Sequence, residues 1–428
     1  MTIFLMCLLL AMLFGSVPIF VALSVAVLAS MLLFTGMDPM VLAQRMFGGL
    51  DKFSLMSMPF FIFAANLMDT GGLSRRILKW TRSLVGARKG GLAYTTQCTC
   101  MIFGALCGSS PATVIAMGRV LYPELIESGY PEEFSAGLIT SSGSVALIIP
   151  PSVTLIMYAA ATGVSVGSLF MSGISAGIVY GLATVIYIWF FSRTHTLRVS
   201  APSTWSEIGK NTLEALWSLM VPVIILGGIY CGVFTPTEAA GISAVYALFV
   251  GVAVYREITW KKLFDVCLRS AITCAQVMIL VAAATSFAWF LTVARIPQAV
   301  TTAIIENVKS PWLFILMVNI ILLIVGMFME GIAAIVILAP LFFPIATQMG
   351  IDPLHLGIIM VSNLALGNFT PPFGLNLFVA AGVTGLSMSR IIRSVMIFIL
   401  VSIIGLLVIS YVPTISTFLP KLVYGAGA

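Results

Sequence analysis

The chain has 428 residues, of which 60% are apolar and only 8% are charged, whereas a soluble domain carries roughly 25% charged residues. This composition excludes a soluble enzyme, a disordered protein and a disulfide-rich secreted scaffold, and it predicts an all-α polytopic membrane protein. The net charge of +6 comes from a few basic loops between apolar stretches. That distribution is typical of a chain whose partner is the lipid bilayer, and we expect no nucleic-acid partner.

The first half of the chain contains three spans, one of them interrupted, and three segments of other kinds. The predicted elements are spans at 3–34 (interrupted by Gly15, Ser16, Val17 and Pro18), 53–71 and 168–192, an interfacial helix at 38–50, a hairpin at 91–127 and a broken helix at 133–162. Each hairpin arm has about 16 residues, fewer than the roughly 20 that a crossing needs. The hairpin is therefore predicted to be re-entrant, with two short tilted spans as the alternative.

The second half repeats this pattern after a polar stretch at 194–213, which we interpret as a cytoplasmic linker. The predicted elements are spans at 214–232, 235–255, 276–294 and 391–412, an interfacial helix at 258–272, a hairpin at 311–349 and a broken helix at 352–383. The chain is thus predicted to contain two repeats, 1–193 and 214–428.

An internal match supports this division. Residues of the two halves correspond at an offset of 221, as in Pro123 and Pro344, Gly129 and Gly350, Pro150-Pro151 and Pro371-Pro372, and Ala159-Ala160 and Ala380-Ala381. A single assignment places every basic cluster in the cytoplasm, and it makes the two halves inverted with respect to each other. Inverted repeats with broken helices are the architecture of secondary transporters. Full spans in place of the hairpins would satisfy the same charges, so charge alone leaves re-entrance open.

The Pro-Pro pairs interrupt the helices at membrane depth. Proline has no N–H, so the carbonyls of Ala146, Leu147, Gly367 and Asn368 lose their helical partners. Carbonyl and hydroxyl oxygens suit sodium, and we expect two or more sodium ions as coupling ions with no other cofactor. The predicted sodium-binding residues are Ser109, Ser110, Ala146, Ile149, Gly367 and Thr370. The alternative is a proline kink sealed by neighbouring Ser and Thr side chains.

The ends of the half-helices carry free N–H groups and partial positive charge, which favour a carboxylate. Polar or small residues within two turns of the breaks and at the second hairpin tip are the candidate substrate contacts. They are Ser142, Gly143, Thr154, Asn363, Asn376 and Glu330. The alternatives are close helix packing for the small residues and, for Glu330, a hairpin tip that reaches water. No catalytic residue is expected.

These motifs resemble the large membrane subunit of TRAP (tripartite ATP-independent periplasmic) transporters, the DctM/SiaM type. In the first half, the motifs are Gly108 to Thr113, Pro123, Gly129-Tyr130 and Ile149 to Ser152. In the second half, they are Met329-Glu330, Pro340, Pro344, Gly350 to Pro353 and Gly367 to Gly374. The stretch from Lys52 to Phe61, with Gly71-Gly72, is also similar to the family.

The resemblance implies a sodium-driven importer of organic acids, such as sialic acid or C4-dicarboxylates, in the bacterial inner membrane. It implies two partners, a periplasmic substrate-binding protein and a small membrane subunit of about four helices, which we expect to be a separate chain. It also implies an elevator motion, in which a transport domain of hairpins and broken helices slides against a scaffold. The interfacial helices 38–50 and 258–272 would join the two parts.

Three other functions compete with this hypothesis. A sodium-coupled anion carrier could work without a binding protein. A channel could use symmetric re-entrant loops, and counter-flow of labelled substrate would separate it from a carrier. An intramembrane enzyme would need a nucleophile–base pair or a metal cluster among the spans, and the sequence offers neither.

Overall fold

The computed structural model describes residues 1–15, 17–195, 197, 203–295, 308 and 310–425, which form helices and their connections with no strand among them. The α-helices of this part of the chain are α1 Thr2–Phe14, α2 Ile19–Phe34, α3 Met40–Leu50, α4 Ser57–Thr70, α5 Leu73–Val85, α6 Gly91–Cys107, α7 Ser110–Glu127, α8 Glu132–Ser144, α9 Val153–Thr162, α10 Val166–Thr194, α11 Trp205–Tyr230, α12 Pro236–Phe249, α13 Trp260–Val293, α14 Pro311–Phe328, α15 Gly331–Gln348, α16 Pro353–Gly367, α17 Leu375–Thr384, α18 Met388–Tyr411 and α19 Pro413–Tyr424.

Seven helices among the described residues are long and apolar enough to cross a membrane. They are α10, α11, α12 with its π-helical extension to Val254, α13, α14, α15 and α18. The prediction of an all-α multi-pass membrane protein is confirmed. Both arms of the second hairpin, α14 and α15, belong to this set, so helix length alone does not separate a re-entrant hairpin from two spans.

The predicted hairpins and broken helices occur as helix pairs. α6 and α7 form the first hairpin and α14 and α15 the second, while each broken helix is interrupted at its Pro-Pro pair, leaving α8 and α9 in the first half and α16 and α17 in the second. The Pro150-Pro151 and Pro371-Pro372 peptide bonds are both cis.

The two halves exchange contacts around these breaks. Each hairpin packs on the N-terminal half of its own broken helix, α8 or α16. The second arm of each hairpin also packs on the C-terminal half of the other broken helix, so that α7 contacts α17 and α15 contacts α9. This reciprocal packing brings both hairpin tips and both breaks to one place.

The chain is interrupted within 3–34 as predicted, but the prediction that this stretch forms one span is wrong. α1 and α2 fold back on each other, and the ring centroids of Phe4 and Phe34 lie 5.3 Å apart. A continuous helix would separate these rings by about 45 Å at 1.5 Å per residue. The turn lies at Gly15–Pro18, within which Ser16 is outside the described residues. Proline 18 precedes α2, where its missing N–H costs no helical hydrogen bond.

Two further boundaries differ from the sequence prediction. The expected interfacial helix 258–272 and span 276–294 form one continuous helix, α13, because no proline or glycine occurs between Trp260 and Val293 and a change in polarity does not interrupt a backbone. Part of the predicted linker 194–213 is helical, since α11 begins at Trp205 with a capping box between Thr204 and Glu207. Residues 196 and 198–202 of that linker lie outside the described residues.

α4 and α13 form the wall that faces the hairpins. The two helices contact each other, and α4 also packs on α12. The Asn66 amide donates a hydrogen bond to Ser270 Oγ at 2.9 Å, which links α4 to α13 in the same wall. A second link crosses to the broken helix: Lys52 Nζ donates to the carbonyl of Ala160 at 2.7 Å, near the end of α9.

Candidate functional site

A cavity of about 230 Å³ lies where the hairpin tips, the breaks and the α4–α13 wall meet. The first hairpin contributes its tip, Gly108 to Ala112, and the second contributes Glu330, Gly331 and Ile332. The breaks contribute Leu147, Val153, Thr154 and Asn368, and the opposite wall contributes Ile62, Ala65, Asn66, Asp69, Thr273 and Val277. The cavity is therefore built from both halves of the chain.

Four predicted site residues line this cavity: Ser109, Ser110, Thr154 and Glu330. Thr154 is fully buried, and its hydroxyl has no hydrogen-bond partner among the described residues. Glu330 is an exposed residue that precedes the first turn of α15. The cavity thus combines free hydroxyl and carboxylate oxygens on the side of the hairpins and breaks.

Three helices begin at the cavity: α7 at Ser110, α9 at Val153 and α15 at Gly331. The N–H groups of a first helical turn lack helical partners and carry partial positive charge. Two carboxylates, Asp69 and Glu330, also line the cavity, and no lysine or arginine does so among the described residues. The helix N-termini therefore supply positive potential to the cavity from the main chain.

The first break is closed by a side chain. Ser152 Oγ donates a hydrogen bond to the carbonyl of Leu147 at 2.5 Å, so one carbonyl freed by proline has a partner. Ala146 is fully buried against Gly104 of the first hairpin; a Cβ added to Gly104 would lie 2.7 Å from Ala146 Cβ. Ile149 packs against Gly177.

The second break is closed by main-chain groups. The main-chain N–H of Asn376 donates to the carbonyl of Asn368 at 2.8 Å, and the main-chain N–H of Thr370 donates to the carbonyl of Gly367 at 3.0 Å. Thr370 Oγ1 donates to the carbonyl of Leu366 at 2.7 Å. This contact fits the alternative to a sodium site, in which Ser and Thr side chains satisfy the main chain at a proline kink. A hydroxyl that donates one hydrogen bond retains lone pairs with which to coordinate a cation.

Gly367 also fixes how the second hairpin sits on its broken helix. It faces Gly326 of α14 at close range, and a Cβ added to Gly367 would lie 2.6 Å from Gly326 Cα. The backbones of the two helices approach each other here because neither residue has a side chain.

Three predicted substrate residues lie in helix contacts away from the cavity. Ser142 Oγ donates to Gln97 Oε1 at 2.5 Å, and the Asn363 amide donates to Asn319 Oδ1 at 2.9 Å. Gly143 makes room for α7, since its Cβ would lie 2.4 Å from Val114 Cγ2. These positions fit the alternative of close helix packing.

Asn376 ties the two halves together beside the cavity. Its Nδ2 atom donates to Ser110 Oγ at 2.7 Å and to the carbonyl of Thr140 at 3.2 Å. Asn376 Oδ1 has no partner among the described residues. Asn376 thus positions Ser110, which lines the cavity.

The sequence reasoning missed Gln97, Asn319, Asn66 and Asp69. All four are polar residues within predominantly apolar segments, where a polar side chain is costly and normally has a partner or a function. That signal was available in the sequence. Which partner each residue meets depends on tertiary packing.

The sequence is similar to known proteins over nearly its whole length. Residues 6–415 match the family described as "Tripartite ATP-independent periplasmic transporter, DctM component". The chain is 43% identical over 392 residues to the C4-dicarboxylate TRAP transporter large permease protein DctM of Pseudomonas aeruginosa, covering 92% of each chain. It is 32% identical over 418 residues to the sialic acid TRAP transporter large permease protein SiaM of Vibrio cholerae, covering 98% of each chain.

Among solved structures, the chain is similar to the YdaH transporter of Alcanivorax borkumensis. The TM-score is 0.62, and the match covers 90% of this chain and 88% of that one at 14% sequence identity. At this identity the likeness shows the fold alone, a helical membrane-transporter fold.

Proposed function

Because the chain belongs to the DctM family of TRAP transporter large permeases, and is a multi-pass membrane protein rather than an enzyme, we propose that it is a sodium-coupled importer of a carboxylate-bearing organic acid. The substrate would be of the C4-dicarboxylate or sialic acid class and would arrive on a periplasmic binding protein. The chain would work in the bacterial inner membrane with a separate four-helix membrane subunit.

The observation that carries this proposal is the cavity shared by the two hairpin tips. The basic loops predict that the first hairpin starts from the cytoplasm and the second from the outside. If both were full spans, their tips would lie on opposite membrane faces, about 30 Å apart. Ser109 and Glu330 instead border a single cavity. This proximity supports two inverted repeats with re-entrant hairpins that meet near the middle of the membrane.

The converging helix starts support an anionic substrate. A carboxylate placed at the starts of α7, α9 and α15 would meet unpaired N–H groups and three helix dipoles. The buried hydroxyl of Thr154 offers a further donor. Thr154 is therefore the side chain that we expect to contact the substrate through its hydroxyl, and Ser109 and Ser110 are the proposed sodium ligands of the first half.

Sodium is the proposed coupling ion because the oxygens around the breaks are mainly neutral carbonyl and hydroxyl groups. Glu330 adds a negative charge on the cavity side of the second break, which would favour a cation beside an anionic substrate. The proposed sodium ligands near the second break are the Gly367 carbonyl and Thr370 Oγ1.

A sodium titration tests this assignment. Thr370→Val keeps the side-chain shape and removes the oxygen, and a hydrogen bond to a charged group is worth about 1.5–3 kcal/mol. The sodium concentration for half-maximal uptake by the assembled transporter in proteoliposomes should rise about 10- to 100-fold. Thr370→Ser should change it far less.

The melting temperature of the same variants is the control. If Thr370 only seals the kink through Leu366, Thr370→Val will lower the melting temperature and leave the sodium dependence unchanged. Uptake that proceeds equally well with choline in place of sodium would exclude sodium coupling altogether.

The arrangement of the cavity walls supports an elevator motion. One wall consists of hairpins and breaks and the other of α4 and α13, joined to each other by the Asn66–Ser270 hydrogen bond. The walls meet across the cavity, and Lys52, in the segment that precedes α4, donates a hydrogen bond to the Ala160 carbonyl of α9. A hairpin body that slides along the α4–α13 wall would break this link and carry the cavity with it.

The partners are tested by omission. Reconstituted alone, the chain should take up substrate poorly, because the proposed substrate is delivered by the binding protein and the small subunit completes the scaffold. Robust sodium-driven uptake without the binding protein would instead favour the alternative function, a sodium-coupled anion carrier that binds its substrate directly.

A further inference from the structure

A groove of about 890 Å³ on the surface of the protein is separate from the cavity at the hairpin tips, which we call the transport cavity. It runs between the α5–α6 connection, with Arg88 and Lys89, and the last three turns of α10, from Val185 to Arg193. None of its lining residues borders the transport cavity. The proposed transport function therefore leaves this groove unexplained.

The mouth of the groove is strongly basic. Arg88, Lys89 and Arg193 are exposed, and no acidic residue lines the groove among the described residues. The ion pairs of the described residues involve other side chains. The Arg193 guanidinium lies 4.0 Å from the ring centroid of Trp189, and Lys89 Nζ approaches the Arg193 carbonyl at 3.5 Å. Three cations without acidic partners thus share one end of the groove.

The wall of the groove is apolar and faces outward. Ile186, Trp189 and Phe190 are 56%, 43% and 58% exposed. They lie on α10, one of the helices long and apolar enough to cross a membrane, so their side chains would face lipid. α10 has 29 residues, more than the roughly 20 that span the hydrocarbon core. We therefore expect Arg193, at the end of α10, to lie at the level of the lipid headgroups and the apolar wall to extend from there into the acyl region.

We propose that this groove binds an anionic phospholipid, such as phosphatidylglycerol. The phosphodiester would lie among Arg88, Lys89 and Arg193, and an acyl chain would follow the apolar wall of α10. A soluble anion would leave the apolar wall uncovered, and an apolar partner helix would leave three cations unpaired. An anionic lipid satisfies both surfaces, and basic pockets between transmembrane helices bind such headgroups.

Native mass spectrometry of the full-length protein, titrated with dioleoyl-phosphatidylglycerol or dioleoyl-phosphatidylcholine in mixed micelles, tests the proposal. The wild type should bind phosphatidylglycerol in preference to phosphatidylcholine. The combined variant Arg88→Gln, Lys89→Gln, Arg193→Gln should bind phosphatidylglycerol about 100-fold more weakly, since each cation near a membrane surface contributes roughly a factor of five. Its binding of phosphatidylcholine should not change.

A matched control removes the same charge elsewhere on the protein. Lys79→Gln, Lys210→Gln, Lys261→Gln replaces three other exposed lysines and should leave phosphatidylglycerol binding as in the wild type. A second variant, Val185→Trp, fills the groove without changing its charge. It should also lose phosphatidylglycerol binding, because the acyl chain would no longer fit.

Several outcomes would overturn the proposal. Equal binding of the two lipids by the wild type would remove the role of the basic mouth. An equal loss of binding in the control variant would reduce the effect to net charge. Competition by soluble glycerol phosphate, or unchanged lipid binding in Val185→Trp, would show an anion site without an acyl groove. Exclusion of lipid from the groove by the small membrane subunit would assign it to a protein partner.

Discussion

The two proline breaks occupy equivalent positions 221 residues apart, yet different groups close them. In the first break, the Ser152 side chain bonds the Leu147 carbonyl. In the second break, the equivalent of Ser152 is Phe373, which has no hydroxyl. The main-chain N–H of Asn376 donates to the Asn368 carbonyl instead. The repeat preserves the interruption of the helix but not the means of satisfying its freed carbonyls.

The same asymmetry extends to the side chains that follow the breaks. Thr154, after the first break, keeps a hydroxyl without a protein partner at the cavity. Asn376, after the second, bonds Ser110 and Thr140 of the other half. The first half therefore supplies a group that is available to a ligand, whereas the second supplies a group that holds the halves together. The offset of 221 pairs Thr154 with Leu375 and Asn376 with Leu155, so the repeat does not preserve either polar side chain.

The largest effect is expected where the backbones approach most closely. Gly367→Ala would place a Cβ 2.6 Å from Gly326 Cα, and backbone atoms cannot move aside as a flexible side chain could. We expect a loss of about 1–3 kcal/mol of stability, the usual cost of overpacking, and reduced uptake. Thermal unfolding of the purified protein measures the first effect.

Gly382→Ala is the matched control for this substitution. Gly382 lies in α17, and nothing lies within 4 Å of its added Cβ. Alanine there should leave stability unchanged or raise it by roughly 0.5–1 kcal/mol, since glycine is unfavourable within a helix. A Gly367→Ala protein as stable as Gly382→Ala would show that α14 and α16 are free to separate.

An intermediate effect is expected for the hydrogen bonds from Asn376 to Ser110 and Thr140, which join the two halves. Asn376→Leu removes the donor to Ser110 and Thr140, and Ser110→Ala removes one of its acceptors. Each change should cost about 1–2 kcal/mol, because a buried polar group loses its partner. In a double-mutant cycle, the pair should be coupled by roughly 1 kcal/mol. Additivity of Asn376→Leu with Ser110→Ala would contradict this link between the halves.

The smallest effect on stability is expected at Thr154. Its hydroxyl has no partner among the described residues, so Thr154→Val should leave the melting temperature unchanged or slightly raised. If the hydroxyl contacts the substrate, the same variant should raise the KM for uptake by about 10-fold. Ser152→Ala supplies the contrast, since it should lower stability through the Leu147 carbonyl. An unchanged KM would assign Thr154 to packing.

Much of the fold could be predicted from the sequence because proline, glycine and apolar length act locally. The broken helices, the hairpin pairs and most span positions follow from these signals. The failures have equally physical causes. The apolar run over α1 and α2 predicts one interrupted span, whereas the packing of α1 on α2 and the contact between Phe4 and Phe34 show that the chain turns back at the interruption. The change in polarity along α13 predicts two separate elements, although α13 contains no proline or glycine that would end a helix.

The site was predicted less completely, because proximity in space is not written in a local pattern. The sequence alone determined that the chain lies in a membrane, that both halves are interrupted at Pro-Pro, and that polar residues surround the interruptions. Only the tertiary structure decided which of them share a cavity: Ser109, Ser110, Thr154 and Glu330 do, whereas Ser142 and Asn363 bond to Gln97 and Asn319. The physical reason is that a buried polar group needs a partner, and helix packing determines whether that partner is protein or ligand.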